Sequence, residues 1–290
     1  MTIRGIDVSK WQGFVNWKLA VNNGARFAYI KSSQWDTDPR FKENWANSKG
    51  ILPRGAYHYL DWGWDEVKQA ELMVKSMGAD FGELPPACDF EQNPAPYGLT
   101  PTQTTAKLQR FLDTVECLTG RIPTIYTGYY FWKDWGNTLA KWTKYPQWLP
   151  WYASKAWIFY CTKGGTGAPK PWKQWTVWQY SDRGSGLAYG CQSASVDLNE
   201  FYGSEADFAM FTGGNSMPIP PPPIENLYVA NANPRVRSSP DGTSLTNVIG
   251  MLTKGFQVVV DKNLNGWAHF VPQAAFPNGG WVWAVYLTKV

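Results

Sequence analysis

The chain has 290 residues, enough for one large domain and a small one, and its 44% hydrophobic content supports a substantial core. A net charge of +4 with only 17% charged residues is too weak to indicate a nucleic-acid partner; it suits a polyanionic surface such as a bacterial wall. No stretch is long and apolar enough for a signal peptide or a membrane span, so neither export by a cleaved leader nor membrane insertion is expected.

In chain order, Ile3 to Val8 reads as a first strand, followed by a short helix over residues 14–23. Arg26 to Ser33 is a second strand. Asp38-Pro39 reads as an N-cap with proline at the first helical position, and Gly50 as the stop. Gly55 to Leu60 is a third strand. Val67, Ala70, Val74 and Met77 then recur at helical spacing between Asp65 and Gly78. Residues 84–91, Leu-Pro-Pro-Ala-Cys-Asp-Phe-Glu, form the fourth strand. Thr100-Pro101-Thr102-Gln103 is a capping box with proline at N1. It opens a helix whose apolar stripe is Leu108, Phe111, Leu112, Val115 and Leu118, closed by Gly120. Further strands follow at residues 123–127, 148–153, 176–180 and 195–198.

Strands alternating with helices predict a parallel sheet with right-handed crossovers. Eight strands in about 210 residues predict an α/β fold, an irregular (β/α) barrel of eight strands with fewer helices in its second half. Residues 1–212 are the expected barrel. Residues 213–226, rich in proline, are an expected extended linker. Residues 227–290 are an expected small all-β barrel, with strands at 248–252, 257–261, 267–271 and 280–286 and turns at Asp241-Gly242 and Asn265-Gly266.

The chemistry centres on the fourth strand. Side chains at i and i+2 of a strand share a face, so Asp89 and Glu91 project together while Cys88 and Phe90 point away. Two adjacent carboxyls repel, and one tends to keep its proton. A proton donor beside an anion is what acid-catalysed glycosidic cleavage requires. The alternative is a solvated strand end with two surface acids. In a barrel of this kind the chemistry sits at the carboxyl ends of the strands. Asp7 on the first strand and Asp197 on the eighth then converge on the pair. The 18 Trp, 15 Tyr and 14 Phe also suit stacking on sugar rings, beside their use in the core.

These residues resemble glycoside hydrolase family 25, the Chalaropsis-type lysozymes common among phage endolysins. The resemblance is carried by Gly5-Ile6-Asp7-Val8-Ser9-Lys10-Trp11-Gln12, Phe27-Ala28-Tyr29-Ile30-Lys31, Gly55-Ala56-Tyr57-His58-Tyr59, Asp89-Phe90-Glu91, Pro123-Thr124-Ile125-Tyr126-Thr127, Trp178-Gln179-Tyr180-Ser181 and Val196-Asp197-Leu198-Asn199. More loosely, Arg235-Val236-Arg237, Asn265-Gly266-Trp267 and Gly280-Trp281-Val282 resemble bacterial SH3-type wall-binding domains. The resemblance implies hydrolysis of the β-1,4 bond between N-acetylmuramic acid and N-acetylglucosamine in bacterial cell-wall peptidoglycan. It makes Glu91 the general acid, Asp89 the group that orients or stabilises substrate, and Asp7 and Asp197 further active-site acids. Tyr57, Tyr126 and Trp178 are the candidate substrate-binding aromatics, the last two equally open to a core role.

An acid and a nucleophile drawn from same-face positions of one strand lie on one side of the sugar, which favours attack by the substrate's own acetamido oxygen. The alternative makes Asp197 or Asp7 the nucleophile or water base. No metal site and no cofactor is expected, since the four cysteines lack metal-binding spacing. Cys161 and Cys191 are a candidate pair, although a cytoplasmic origin opposes it. Competing function classes are a non-catalytic wall-binding protein, a chitinase-like glycosidase, disfavoured by Ala87 where that signature has an acid, and a wall amidase, disfavoured by the lack of a zinc or Cys/His constellation. As a phage endolysin the protein would be made in the host cytoplasm without a signal peptide and act on the wall after release. His58 is read as a hydrogen-bonded core residue.

Overall fold

The computed structural model describes residues 3–154, 166–213, 227–243, 246–252, 254, 257–270 and 280–289. The chain divides into two compact units, Met1–Pro221 and Pro222–Val290. Apart from Gly213, the expected linker lies outside the described residues, as does Cys161 of the candidate cysteine pair.

In the first unit eight strands close into a barrel in sequence order: β1 (Ile3–Val8), β2 (Phe27–Ser33), β3 (Arg54–Tyr59), β4 (Ala87–Asp89), β5 (Thr124–Tyr126), β6 (Gln147–Pro150), β7 (Val177–Ser185) and β8 (Ser195–Phe201). Strands β1 to β7 pair in parallel. Strand β8 is antiparallel to both β7 and β1, which corrects the expectation of an all-parallel sheet. The reason is loop length. Residues 186–194 are fewer than the roughly 10–12 that a crossover needs, so the chain can only turn back as a hairpin.

Helices α1 (Trp17–Asn22), α2 (Phe41–Ser48), α3 (Glu66–Met77), α4 (Pro101–Thr119) and α5 (Tyr129–Trp135) fill the connections up to β6, and α6 (Glu205–Phe211) follows β8. The Thr100 capping box and the left-handed Gly120 terminate α4 as read from sequence. Helix α2 starts later than expected. Asp38 does not cap it; its carboxylate instead accepts the backbone N–H groups of Lys10 and Arg40, tying the loop after β2 to the turn after β1. Strand β4 is also shorter than residues 84–91, because Pro85 and Pro86 have no N–H to give the ladder.

Strict alternation sorts the side chains. Even-numbered positions of β1, β2 and β4, such as Ile6, Ala28, Ile30 and Cys88, and Phe90 just after β4, face the helices and join Leu108, Phe111, Leu112 and Val115 of α4 in the outer core. Odd-numbered positions fill the barrel with Ile3, Phe27, Tyr29, Ala87, Val177 and Phe201, together with Tyr126 and Trp148. Two glycines make room. A Cβ on Gly5 would lie 2.5 Å from the Phe27 ring, and one on Gly55 2.6 Å from Tyr29. Aromatic rings therefore plug the barrel, with Tyr29 stacked on Trp148 at 4.4 Å, and polar side chains are left for the carboxyl end of the parallel strands. Among the described residues, no helix is long and apolar enough to cross a membrane.

The second unit is antiparallel throughout its recorded pairings. Its strands are β9 (Leu227–Ala230), β10 (Arg235–Arg237), β11 (Val248–Met251), β12 (Gln257–Leu264), β13 (Trp267–Phe270), β14 (Gly280–Trp283) and β15 (Leu287–Lys289), in the sheet order β11-β10-β14-β13-β12-β9-β15. Asn265 and Gly266 both take positive φ, the two-residue turn that Asn-Gly favours between β12 and β13. The unit has its own core, including Val236, Val258, Val260, Phe270 and Val282.

Candidate active site

Asp89 is the last residue of β4. The strand end is held on both sides: Leu60 N–H donates to the Asp89 carbonyl at 3.0 Å, and Phe90 N–H donates to the Tyr126 carbonyl at 2.8 Å. Phe90 is anchored in the outer core by edge contacts to Trp62 and Phe131. That anchoring turns Asp89 and Glu91 to the other side. The two acids line one hollow of about 100 Å³ with Asp7, Asp197, Tyr57, Tyr126, Trp148 and Gln179. Six of the seven residues singled out from sequence thus meet in one place.

Trp178 does not. It lies on the outward face of β7, packs with Leu149 and Trp175, and donates its indole N–H to the Trp151 carbonyl at 2.9 Å. The residue on the inward face is its neighbour Gln179, as alternation along β7 requires. His58 is likewise on an outward face. It is buried, bonded to Ser33 Oγ (2.8 Å) and Gln69 Oε1 (2.9 Å) and stacked on Phe111. Burial pushes its pKa down to about 4.

Asp7 and Asp197 are register partners across the antiparallel β1 and β8. Asp7 Oδ2 accepts from Asn199 Nδ2 at 2.7 Å and from Gln179 Nε2 at 2.8 Å; Gln179 also reaches Asp197 Oδ2 at 3.4 Å. Asn199 is oriented in turn by the Trp148 indole N–H at 2.8 Å. Gln179 Oε1 accepts the hydroxyls of Tyr126 (3.0 Å) and Tyr152 (2.8 Å). The amide orientations are therefore fixed from behind. Burial raises the pKa of Asp7, partly offset by its bonds to Asn199, Gln179 and Asp197. Burial, then the charge of Asp7 and a hydrogen bond to it, push Asp197 up to about 8. Both acids are held above the ordinary carboxylate range, so the pair resists carrying two negative charges.

Asp89 and Glu91 form the second pair. Burial raises Asp89 well above the carboxylate range, Glu91 and Asp7 add to this, and Lys31 opposes it. Glu91 lies beyond the strand with its side chain open to the groove. Crowding by protein and the Asp7 charge nonetheless raise its pKa, again against Lys31. Asp89 Oδ1 is buried and accepts no hydrogen bond from the described residues. Lys31, on the inward face of β2, donates to Gln34 Oε1 at 3.0 Å and lies over the Tyr59 ring. Two acid pairs thus share one hollow, and in each the crowding of like charges disfavours double ionisation.

Sequence reasoning named no role for Gln179, Asn199, Trp148, Tyr152 or Lys31. Counting by two from Tyr29 points to Lys31, and from Asp197 to Asn199. Tyr152 falls within the expected strand at 148–153, in phase with Trp148, but lies beyond the end of β6 in irregular chain. Among the described residues, no group of three or more His, Cys, Asp or Glu is arranged to hold a metal ion.

The chain matches the family model of Glycosyl hydrolases family 25 over residues 6–187. It is 33% identical to Lysozyme M1 of Streptomyces globisporus over 219 residues, spanning 70% of this chain and 69% of that protein. It is 32% identical to the N,O-diacetylmuramidase of a Chalaropsis species over 203 residues, spanning 65% of this chain and 91% of that protein. The bacterial lysozyme of Streptomyces coelicolor shares its fold with a TM-score of 0.63 at 29% identity, over 74% of this chain and 99% of that one.

Proposed function

The chain belongs to glycosyl hydrolases family 25, and we propose that it cleaves the β-1,4 bond between N-acetylmuramic acid and N-acetylglucosamine with Glu91 as general acid and base and Asp89 as holder of the substrate's amide. It is a glycoside hydrolase of the lysozyme type, and its substrate is peptidoglycan. The observation that carries the division of labour is Asp89 Oδ1, a buried carboxylate oxygen that no described group satisfies, set beside Glu91 at the open side of the hollow. A buried acceptor of this kind is costly unless a ligand supplies the donor.

Before substrate arrives, burial and then the charge of Glu91 favour the protonated form of Asp89. An acetamido N–H arriving at Oδ1 stabilises the Asp89 anion and leaves the proton to Glu91. Glu91 then protonates the glycosidic oxygen while the acetamido carbonyl oxygen attacks the anomeric carbon. The C–O bond to the leaving sugar breaks and an oxazolinium ring forms. Glu91, now a carboxylate, takes a proton from water as that water opens the ring, so configuration is retained. Asp197 holds its own proton up to about pH 8, and Asp7 Oδ2 is occupied by two amide donors. Both are poor nucleophiles, which supports substrate assistance over a covalent sugar ester.

Residues 1–212 carry the chemistry in this reading, and residues 227–290 are an SH3-like module that holds the wall. Support for the second role is an independent antiparallel sheet with its own apolar core. A phage endolysin is the setting we propose for this pairing of a muramidase barrel with a wall-holding module. The test is clearing of a Gram-positive cell suspension by wild type and by Glu91→Gln. A loss of about 10²–10⁴-fold is expected for removal of a general acid. Equal clearing would remove Glu91 from the role.

A further inference from the structure

Most of the tryptophans of the barrel unit are buried, but Trp11 is 75% exposed and Trp35 is 68% exposed. A single exposed apolar side chain is ordinary, but two indoles edging one groove form a patch of the kind that marks a binding site. Both line one groove of about 450 Å³, together with Lys10, Lys31, Gln34 and Asp38. The groove is built before any ligand arrives. Ser9 caps the turn that carries Trp11. Lys10 N–H donates to Asp38 Oδ2 at 3.1 Å, and Asp38 N–H donates to the Ser32 carbonyl at 2.8 Å. The loops bearing the two rings are therefore braced against each other, and little ordering is left to pay on binding.

The groove adjoins the acids. Lys31 belongs to it, and the register partner of Lys31 on β3 is Tyr57, which lines the catalytic hollow. The hollow itself is only about 100 Å³, whereas ligand sites commonly span roughly 300–1,000 Å³. The acids alone cannot accommodate a polymer; the volume for neighbouring sugars lies at the ends of β1 and β2. Flat indoles in a solvated groove edged by two lysines and two aspartates match the C–H faces and the hydroxyl and amide groups of pyranose rings.

We infer that Trp11 and Trp35 are the stacking walls of a subsite for sugar units beyond the pair at the cleaved bond, so that the enzyme reads a glycan strand rather than a disaccharide. This rests on the muramidase reading above. The test uses full-length protein and soluble, peptide-free oligomers of two to five N-acetylglucosamine–N-acetylmuramic acid repeats. Wild-type kcat/KM is expected to rise at least tenfold from two repeats to five. In the Trp11→Ala/Trp35→Ala double variant that rise disappears through KM, with kcat on the longest oligomer unchanged. Trp11→Phe and Trp35→Phe, which keep a flat ring, restore most of it. A double variant that retains the wild-type length dependence overturns the inference. If wild type cleaves none of the oligomers, the muramidase reading fails, and quenching of tryptophan fluorescence by the same oligomers decides the groove. Tighter binding of five repeats than of two, lost in the double variant, upholds it; equal binding by both proteins overturns it.

Discussion

Replacing Asp89 by Asn tests the proposed amide holder in two opposed ways. The substitution keeps the shape of the side chain but removes its charge. In the transition state the carboxylate would accept one charge-assisted hydrogen bond, about 1.5–3 kcal/mol, and face a cationic ring whose attraction at about 5 Å and an effective dielectric near 20 is about 3 kcal/mol. Partial opening of the hollow to water reduces the sum to about 3–5 kcal/mol, which is a loss of roughly 10²–10⁴-fold in kcat/KM. Stability should move the other way. Because Oδ1 has no protein partner, the amide breaks no hydrogen bond. Asp89 has its folded-state pKa raised, chiefly by burial. Such a group contributes stability below its unfolded pKa and loses it as pH rises through the folded value. Asp89→Asn should therefore melt above wild type at pH 8, with the gap closing towards pH 4. Soluble oligomer hydrolysis and calorimetry across that range are the assays. A variant that keeps near wild-type activity, or that melts below wild type at pH 8, would refute the reasoning.

Other consequences follow from the same geometry. Asp197 loses its proton near pH 8, leaving two charges on the Asp7 pair, so wild-type kcat/KM should fall above that pH while Asp197→Asn lacks this limb; a pH–rate profile checks it. Gln179→Ala removes the bridge between two tyrosines and Asp7 and should lower kcat/KM about 10–100-fold, whereas Trp178→Phe should cost about 1 kcal/mol of stability and leave kinetics unchanged. Burial raises the pKa of Asp80, but hydrogen bonds from Arg54 and Lys49 outweigh it and hold it low. Asp80→Asn should cost about 1–2 kcal/mol at pH 7, after allowance for its part exposure, and the difference should shrink as pH falls below the usual carboxylate range.

Much of the barrel is legible because its strands obey local rules. Period-two alternation and Gly or Pro punctuation locate each strand, and the capping box at Thr100 fixes the longest helix to the residue. The shared face of Asp89 and Glu91 follows from the same alternation. What local rules omit is direction and distance. The reversal of β8 depends on the length of one loop, not on the strand's own residues, and it is this reversal that sets Asp197 opposite Asp7. The bond from Asn199 to Asp7 joins residues 192 positions apart, and nothing in either neighbourhood signals it. Aromatic content favours Trp178 over Gln179, whereas counting faces along β7 points to the amide. In the second unit β10 and β15, three residues each, are too short to show a period, and only their pairing reveals them.

The central claim is the bond cleaved and the group that protonates it. Mass spectrometry of fragments released from purified peptidoglycan, after borohydride reduction, tests it most directly. The expected result is reduced muramic acid at the new ends with wild type, and no such fragments with Glu91→Gln. New ends on glucosamine, cleavage of the peptide linkage, or unchanged muramic acid ends from the variant would contradict it.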